Sequence, residues 1–459
     1  MPIFSDIART IQREQRKIIA LPTLSPPAHK RGTDYKMDYD FSFLPDDAAL
    51  LEYLPGILSR SSSTFLSHYD FLPDKSVSTT NYTREDFWVM TMRCITLLQS
   101  LGGTKGTRMI HYVSGNIVED LVLRTATVFL GIVPVTINWQ ADIVSQIDYK
   151  ITSTEAKIIV IDSRTPDVPE LRNKYPSMKF LNVNDIKTSP PIDARALELY
   201  LKSSDVARVT DTRCIIFTSG TTGHPKGVEL SYLNYRVNRA TFESFLEFED
   251  PSVLFVPVAV NPMHHTNSTS ITDWALRRPQ THLHLLDRYS TQYWSIISAI
   301  TMGISIDKAV TVSTAESASE ILNHTFSPPS SSSTSSSSSS SPLGVKMRKV
   351  ICPLVSRHID FLESLAESET IGIPSCVLRE CLSHTVLLIG SAPVGPSTTN
   401  RLLKYANRLP TGVLYCHLAV YPTILLSSLL YSIVLSYYPL HCSGLLSSYS
   451  RLILLFVLF

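Results

Sequence analysis

From residue 107 onward, apolar positions recur in two alternating rhythms. Met109-Ile110-His111-Tyr112-Val113 is a short apolar run that reads as a buried strand. Ile117, Val118, Leu121, Val122, Thr125 and Phe129 then recur at the spacing of one helix face. Between the two, Ser114-Gly115-Asn116 is predicted to cap the helix start. Gly131 is predicted to end it, since glycine accepts a left-handed backbone. Residues 132–137 begin a second strand, 143–151 form a second helix and 157–161 a third strand. Further strand candidates lie at 213–217, 253–260, 282–286 and 385–389. Strands alternating with helices require crossovers and imply a mostly parallel sheet covered on both faces. The predicted class is α/β, with two sheets because so many strands exceed one ordinary sheet. No internal repeat of fixed short period is present.

Composition narrows the function classes. At 459 residues the chain exceeds a single compact core. Lys and Arg (41) nearly balance Asp and Glu (40), so no general positive field exists to grip a nucleic-acid backbone. Hydrophobic residues at 44% exclude disorder as the dominant state. The 7 cysteines show no metal-binding spacing, and their odd number argues against a fully paired disulfide set. Free thiols and a reducing compartment are expected, and the N-terminus lacks the apolar core of a secretory signal. Residues 4–20 read as an Arg-bearing amphipathic surface helix. Residues 330–341 are serine throughout except Thr334, a composition that buries no apolar area and predicts a solvated loop.

The strongest chemical signal follows the 213–217 strand: Thr218-Ser219-Gly220-Thr221-Thr222-Gly223-His224-Pro225-Lys226-Gly227. Glycines let backbone amides approach an anion closely. The hydroxyls of Thr218, Ser219, Thr221 and Thr222 can donate to phosphate oxygens, and Lys226 brings a point charge on a flexible stem. The spacing is not that of the Walker loop, which excludes the P-loop kinases and NTPases. Downstream lie Val256-Pro257-Val258-Ala259-Val260-Asn261-Pro262-Met263-His264-His265 and Leu387-Leu388-Ile389-Gly390-Ser391-Ala392-Pro393-Val394. Successive residues of an extended chain point to opposite faces, so His264 and His265 are not expected to share one metal ion. One should face a pocket, with His265 favoured. Asn138-Trp139-Gln140 follows a strand end, where Trp139 is expected to pack.

Together these segments resemble the adenylate-forming superfamily of AMP-dependent synthetases and ligases, which includes the acyl-CoA synthetases. The resemblance spans roughly residues 82–411. It implies ATP phosphates on Thr218, Ser219, Gly220, Thr221, Thr222, Gly223 and Lys226, adenine against Gly390, Ser391, Ala392 and Pro393, and a carboxylate near His265. Lys226 and His265 are the implied catalytic residues, and the implied reagents are ATP, Mg²⁺, a small carboxylic acid and, as acyl acceptor, CoA. The implied organisation is an extension and first-subdomain start over 1–80, a first βα subdomain over 81–210, a second over 211–412 with a serine-rich insertion at 327–342, and an apolar tail over 413–459.

The resemblance stops near Gly412. The family's Gly-x-Thr-Glu and Thr-Gly-Asp segments, and the small C-terminal domain with its lysine, have no counterpart, and residues 413–459 contain no Asp, Glu or Lys. The implied Mg²⁺ and ribose ligands are therefore missing, and the expectation is an inactive or impaired ligase. Two readings of the tail stay open. Residues 414–438 are long enough to cross a bilayer if Pro422 is tolerated as a kink, with Arg401, Lys404 and Arg408 on the cytoplasmic flank. Alternatively, the tail is translated from a shifted or non-coding frame. The corresponding location is cytoplasmic, or membrane-anchored facing the cytosol, and the alternative function is a non-catalytic membrane-associated protein that keeps a nucleotide-binding scaffold.

Overall fold

The structure is a computed structural model that describes residues 41–59, 63–218, 225–246, 248, 250, 252–326, 347–367, 372–390, 413–416 and 453–455. The amphipathic 4–20 stretch, the serine-rich tract and residues 417–452 lie outside them. The chain divides into two compact units, one of residues 26–239 and 259–288, the other of 1–25, 240–258 and 289–459.

In the first unit, strands β1 (Thr64–Phe71) and β2 (Val77–Thr83) form an antiparallel hairpin. Six more strands make one sheet: β3 (Arg108–Tyr112), β4 (Val133–Thr136), β5 (Ile158–Ile161), β6 (Lys179–Asn182), β7 (Thr212–Phe217) and β8 (Gly227–Ser231). Their order is β6-β5-β3-β4-β7-β8, parallel except for the β7–β8 hairpin. Ile110, Val135, Ile159 and Ile215 from four of these strands meet Ile147 and Ile151 in one apolar cluster. The helix Val118–Leu130 is buried almost throughout, as its apolar run requires, and Gly131 ends it in the left-handed region at φ 64. The helix Arg84–Ser100 starts on a reciprocal cap, in which the Asp86 amide donates to Thr83 Oγ1 at 3.1 Å and the Thr83 amide to Asp86 Oδ2 at 2.8 Å.

The expected Ser114-Gly115-Asn116 cap is corrected. Ile117 occupies the N-cap position, without a side-chain cap bond. Asn116 turns away into the interior, 1% exposed. Its Nδ2 donates to the carbonyls of Val260, Asn261 and Leu286 at 3.3, 3.0 and 3.0 Å, and its Oδ1 accepts from the Met263 amide at 3.1 Å. Asn116 thus joins the loop after β3 to the segment that carries the histidine pair. Nearby, His111 Nδ1 and Asp120 Oδ1 lie 2.5 Å apart, and Arg124 Nε donates to Asp120 Oδ2 at 3.0 Å. Burial holds His111 neutral by pushing its pKa below the ordinary 6.5. Burial also opposes ionisation of Asp120, but the charge of Arg124 and the hydrogen bonds from His111 and Arg124 outweigh it and bring the carboxyl from 3.8 to about 2.

In the second unit, β9 (Val253–Ala259), β11 (Met347–Val355), β12 (Thr385–Gly390) and β13 (Val413–Cys416) are parallel in the order β13-β12-β11-β9; β10 (Leu283–Leu286) runs parallel to β1 in the first unit. Helices Tyr293–Met302, Ala315–Phe326 and Ser375–Ser383 meet in a cluster that includes Ala299, Met302, Ala318, Leu322, Val377 and Cys381. Residues 413–416 are strand, and the rest of the 414–438 stretch read as a possible bilayer span lies outside the described residues. Among the described residues, no helix is long and apolar enough to cross a membrane. Cys94, Cys214, Cys352, Cys376 and Cys381 are free thiols, as expected.

Replacing Asn116 by alanine strips partners from buried carbonyls and one buried amide, which should cost about 2–4 kcal/mol; chemical denaturation measures it, and a loss below about 0.5 kcal/mol would contradict this role. His111 takes up a proton near 6.5 only when unfolded, so its contribution to stability is present above that pH and falls as the pH drops below it. Asp120 adds a second loss as the pH falls from 3.8 towards about 2. Thermal midpoints measured from pH 8 to 3 should decline in that order, and a level profile would contradict it.

Candidate functional site

The site is built on the end of β7. Arg213, near its start, is 4% exposed. Its Nε donates to Tyr53 Oη at 3.1 Å and Asp273 Oδ1 at 3.3 Å, its Nη1 to Thr127 Oγ1 at 3.2 Å, and its Nη2 to the Arg124 carbonyl at 3.0 Å. Burial alone would weaken this charge, but Tyr53, Tyr232 and Asp273 raise its pKa well above the ordinary value. Arg277 completes the layer, donating to Asp273 Oδ2 at 2.6 Å and to Tyr53 Oη at 2.7 Å, and it is ion-paired with Glu52. Tyr235 Oη donates to Thr269 Oγ1 at 3.2 Å, which leaves it to accept from the Cys214 thiol at 3.1 Å. A charged, hydrogen-bonded layer thus holds the start of the strand.

At the other end of β7 the chain enters the glycine- and hydroxyl-rich segment. The strand that follows, β8, pairs antiparallel with β7, so β7 and β8 are the two arms of a hairpin. The Thr218 amide donates to the Lys226 carbonyl at 3.0 Å and closes its neck. Gly227 is needed there for close approach: a Cβ would sit 3.1 Å from both Ile215 Cγ2 and Phe217 Cζ. Lys226 is exposed. The structure therefore brings Thr218 and Lys226 together, while Ser219, Gly220, Thr221, Thr222 and Gly223 lie outside the described residues. Gly390 ends β12, and Ser391, Ala392 and Pro393 also lie outside the described residues.

The helix Val144–Thr154 supplies two residues that the sequence reading passed over. Tyr149 meets the Phe217 ring edge-on at 6.4 Å, and Lys150 Nζ lies 5.0 Å from its centroid. Lys150 is buried and ion-paired with Asp142, whose Oδ2 also accepts from the Asn138 amide at 2.7 Å. Burial lowers the pKa of Lys150, and Asp142 partly offsets that. A lone lysine in a helical pattern ordinarily reads as solvated, so only its partner reveals it. Trp139 packs against the first unit's apolar cluster, as expected.

The histidine pair does not follow strand alternation: His264 lies in a turn, and the two rings sit side by side rather than on opposite faces. His264 is 8% exposed, and neither ring nitrogen has a hydrogen-bond partner among the described residues. Burial, then the charges of His265, Lys150 and Arg124, push its pKa to about 2, so it is neutral at all ordinary pH. His265 is exposed and sits at the N-cap position of the helix Thr266–Arg277, its ring centroid 4.2 Å from that of His264. Partial loss of hydration beside the His264 ring lowers its pKa as well. Among the described residues no group of three or more His, Cys, Asp or Glu could hold a metal ion.

A sequence profile described as "AMP-binding enzyme" matches residues 71–414. The chain is 24% identical over 217 residues to the long-chain-fatty-acid–CoA ligase FadD13 of Mycobacterium tuberculosis, a match covering 45% of this chain and 40% of that protein. It is 28% identical over 221 residues to the putative acyl-CoA synthetase YngI of Bacillus subtilis, covering 40% and 38%. These matches take in about two fifths of each relative's length. Among solved structures, ATP-bound MatB from Rhodopseudomonas palustris superposes with a TM-score of 0.53 at 17% identity, covering 79% of this chain and 58% of that one. The N-terminal domain of FACL13 from Mycobacterium tuberculosis gives 0.50 at 14%, covering 78% and 73%. With the profile extending from β1 to β13, the chain belongs to the AMP-binding enzyme family, and its fold is that of the adenylate-forming large domain.

Proposed function

We propose that the β7–β8 hairpin binds the phosphates of ATP and that the chain activates a carboxylic acid as its acyl-adenylate. In that reaction a carboxylate oxygen attacks the α-phosphorus and the bond to the bridging oxygen of pyrophosphate breaks. Pyrophosphate then leaves with the negative charge. Attacking and leaving groups are both anionic, so positioning and charge neutralisation supply most of the rate. Lys226 provides the charge, the hydroxyls and amides of residues 218–223 provide the donors, and His265 borders the carboxylate. Transfer to the thiol of CoA would follow, as the printed names of FadD13 and YngI suggest, and fatty acids are the first substrates to try.

The observation that carries this reading is the closed neck. The Thr218–Lys226 bond and the side-chain-free Gly227 gather a lysine and a glycine- and hydroxyl-rich tip at the end of an internally anchored strand. Holding the phosphates falls to this hairpin, with adenine against residues 390–393. Turnover needs more, and residues 413–459 offer no lysine to neutralise the transition state and no carboxylate to hold a metal ion that could. A missing charge-stabilising donor typically costs about 10²–10³ in rate. We therefore propose that ATP binding survives in this 459-residue chain while adenylation is weak.

Calorimetry with ATP should give saturable binding, and Lys226→Ala should raise Kd by about 10-fold or more, the loss of one charge-assisted contact. Absence of binding by the folded wild-type chain would overturn the assignment. ATP–pyrophosphate exchange with a panel of fatty and short-chain acids should run at least about 10²-fold slower than in an intact ligase assayed in parallel. Comparable exchange would show that catalysis does not need the missing groups.

A further inference from the structure

A lysine with 3% exposure is costly unless something recovers its desolvation. Lys150 is ion-paired with Asp142, which is itself fixed by the Asn138 amide. A buried pair of this kind could be replaced by apolar groups with little loss of stability, so stability alone does not account for it. What the ammonium adds is direction. It lies 5.0 Å from the centroid of Phe217, within reach of a cation–π contact, while Tyr149 on the same helix meets the ring edge-on. Phe217 is the last residue of β7, immediately before Thr218, and its far edge abuts the space left by Gly227 on β8. The ring is therefore held between the ammonium and the return strand of the hairpin.

We infer that Lys150 is a positioning residue for the phosphate-binding hairpin. Anchored by Asp142, it fixes the Phe217 ring and through it the neck formed by Thr218, Lys226 and Gly227. This rests on the reading of the hairpin as the ATP site. Lys150 touches no phosphate in this account; it sets the angle at which the neck leaves the sheet.

The test is calorimetric titration of ATP into the full chain, as wild type, K150M, K150R, F217L and K150M/F217L, with a thermal midpoint for each. K150M should raise Kd roughly 3- to 10-fold, the range of a desolvated cation–π contact. K150R, which keeps the charge over the ring, should recover most of the affinity. F217L leaves the Lys150–Asp142 pair intact, so it remains informative if K150M fails to fold, and it should weaken ATP to a similar degree. The double variant should bind no more weakly than the worse single one, because both changes remove one contact. If the folded variants lower only the midpoint and bind ATP as tightly as wild type, Lys150 is structural and the inference falls while the ATP site stands. If folded wild type binds no ATP, the function reading falls and the inference with it.

Discussion

The arrangement depends on one buried guanidinium. Arg213 is placed where β7 must be held firmly, and its donors reach Tyr53, Asp273, Thr127 and the Arg124 carbonyl, groups far apart in sequence. Removing one partner of such a network leaves an uncompensated buried charge, a loss of about 3–5 kcal/mol. The strand carrying the hairpin is thus anchored by electrostatics at one end and presents its polar tip at the other. If the hairpin receives phosphates as proposed, such rigidity means that ordering costs are met on folding rather than on binding.

The same unit keeps its charges apart by function. Arg124, Arg213 and Arg277 are consumed internally by Asp120, Asp273 and Glu52, with Arg236 also paired to Glu52. Lys150 is held by Asp142 under an aromatic ring, and Lys226 stands exposed at the hairpin neck. His264 is kept neutral by its surroundings, so it contributes shape and an uncharged polar edge rather than a positive charge.

Much of this was legible in the chain. Apolar runs located β3, β4, β5, β7, β9, β10 and β12, because parallel strands buried on both faces read as continuous hydrophobic stretches. The glycine, hydroxyl and lysine succession after β7 marked the hairpin segment on which the proposed phosphate site rests, although residues 219–224 lie outside the described residues. Strand alternation misjudged the histidine pair: His265 was favoured for a pocket, but the chain turns at His264, which is the buried member, and the two rings lie side by side. What escaped was whatever depends on a distant partner. β1 hides buried polar residues: Ser67 donates to Asn81 Oδ1 at 2.7 Å and meets His282 Nε2 at 2.9 Å, which disguises a core strand as a polar one. Asn116 read as a cap because its true acceptors, the carbonyls of Val260, Asn261 and Leu286, are remote in sequence. Lys150 was unreadable until Phe217 and Asp142 stood beside it.

The central claim is that the β7–β8 hairpin is where nucleotide is held. Amide hydrogen exchange over residues 212–231, with and without ATP, addresses it most directly. The account predicts slowed exchange concentrated between Thr218 and Gly227 while the amides of β7 beneath it, already protected, change little. Unchanged exchange across the hairpin at an ATP concentration that saturates binding would place the nucleotide elsewhere and contradict the account.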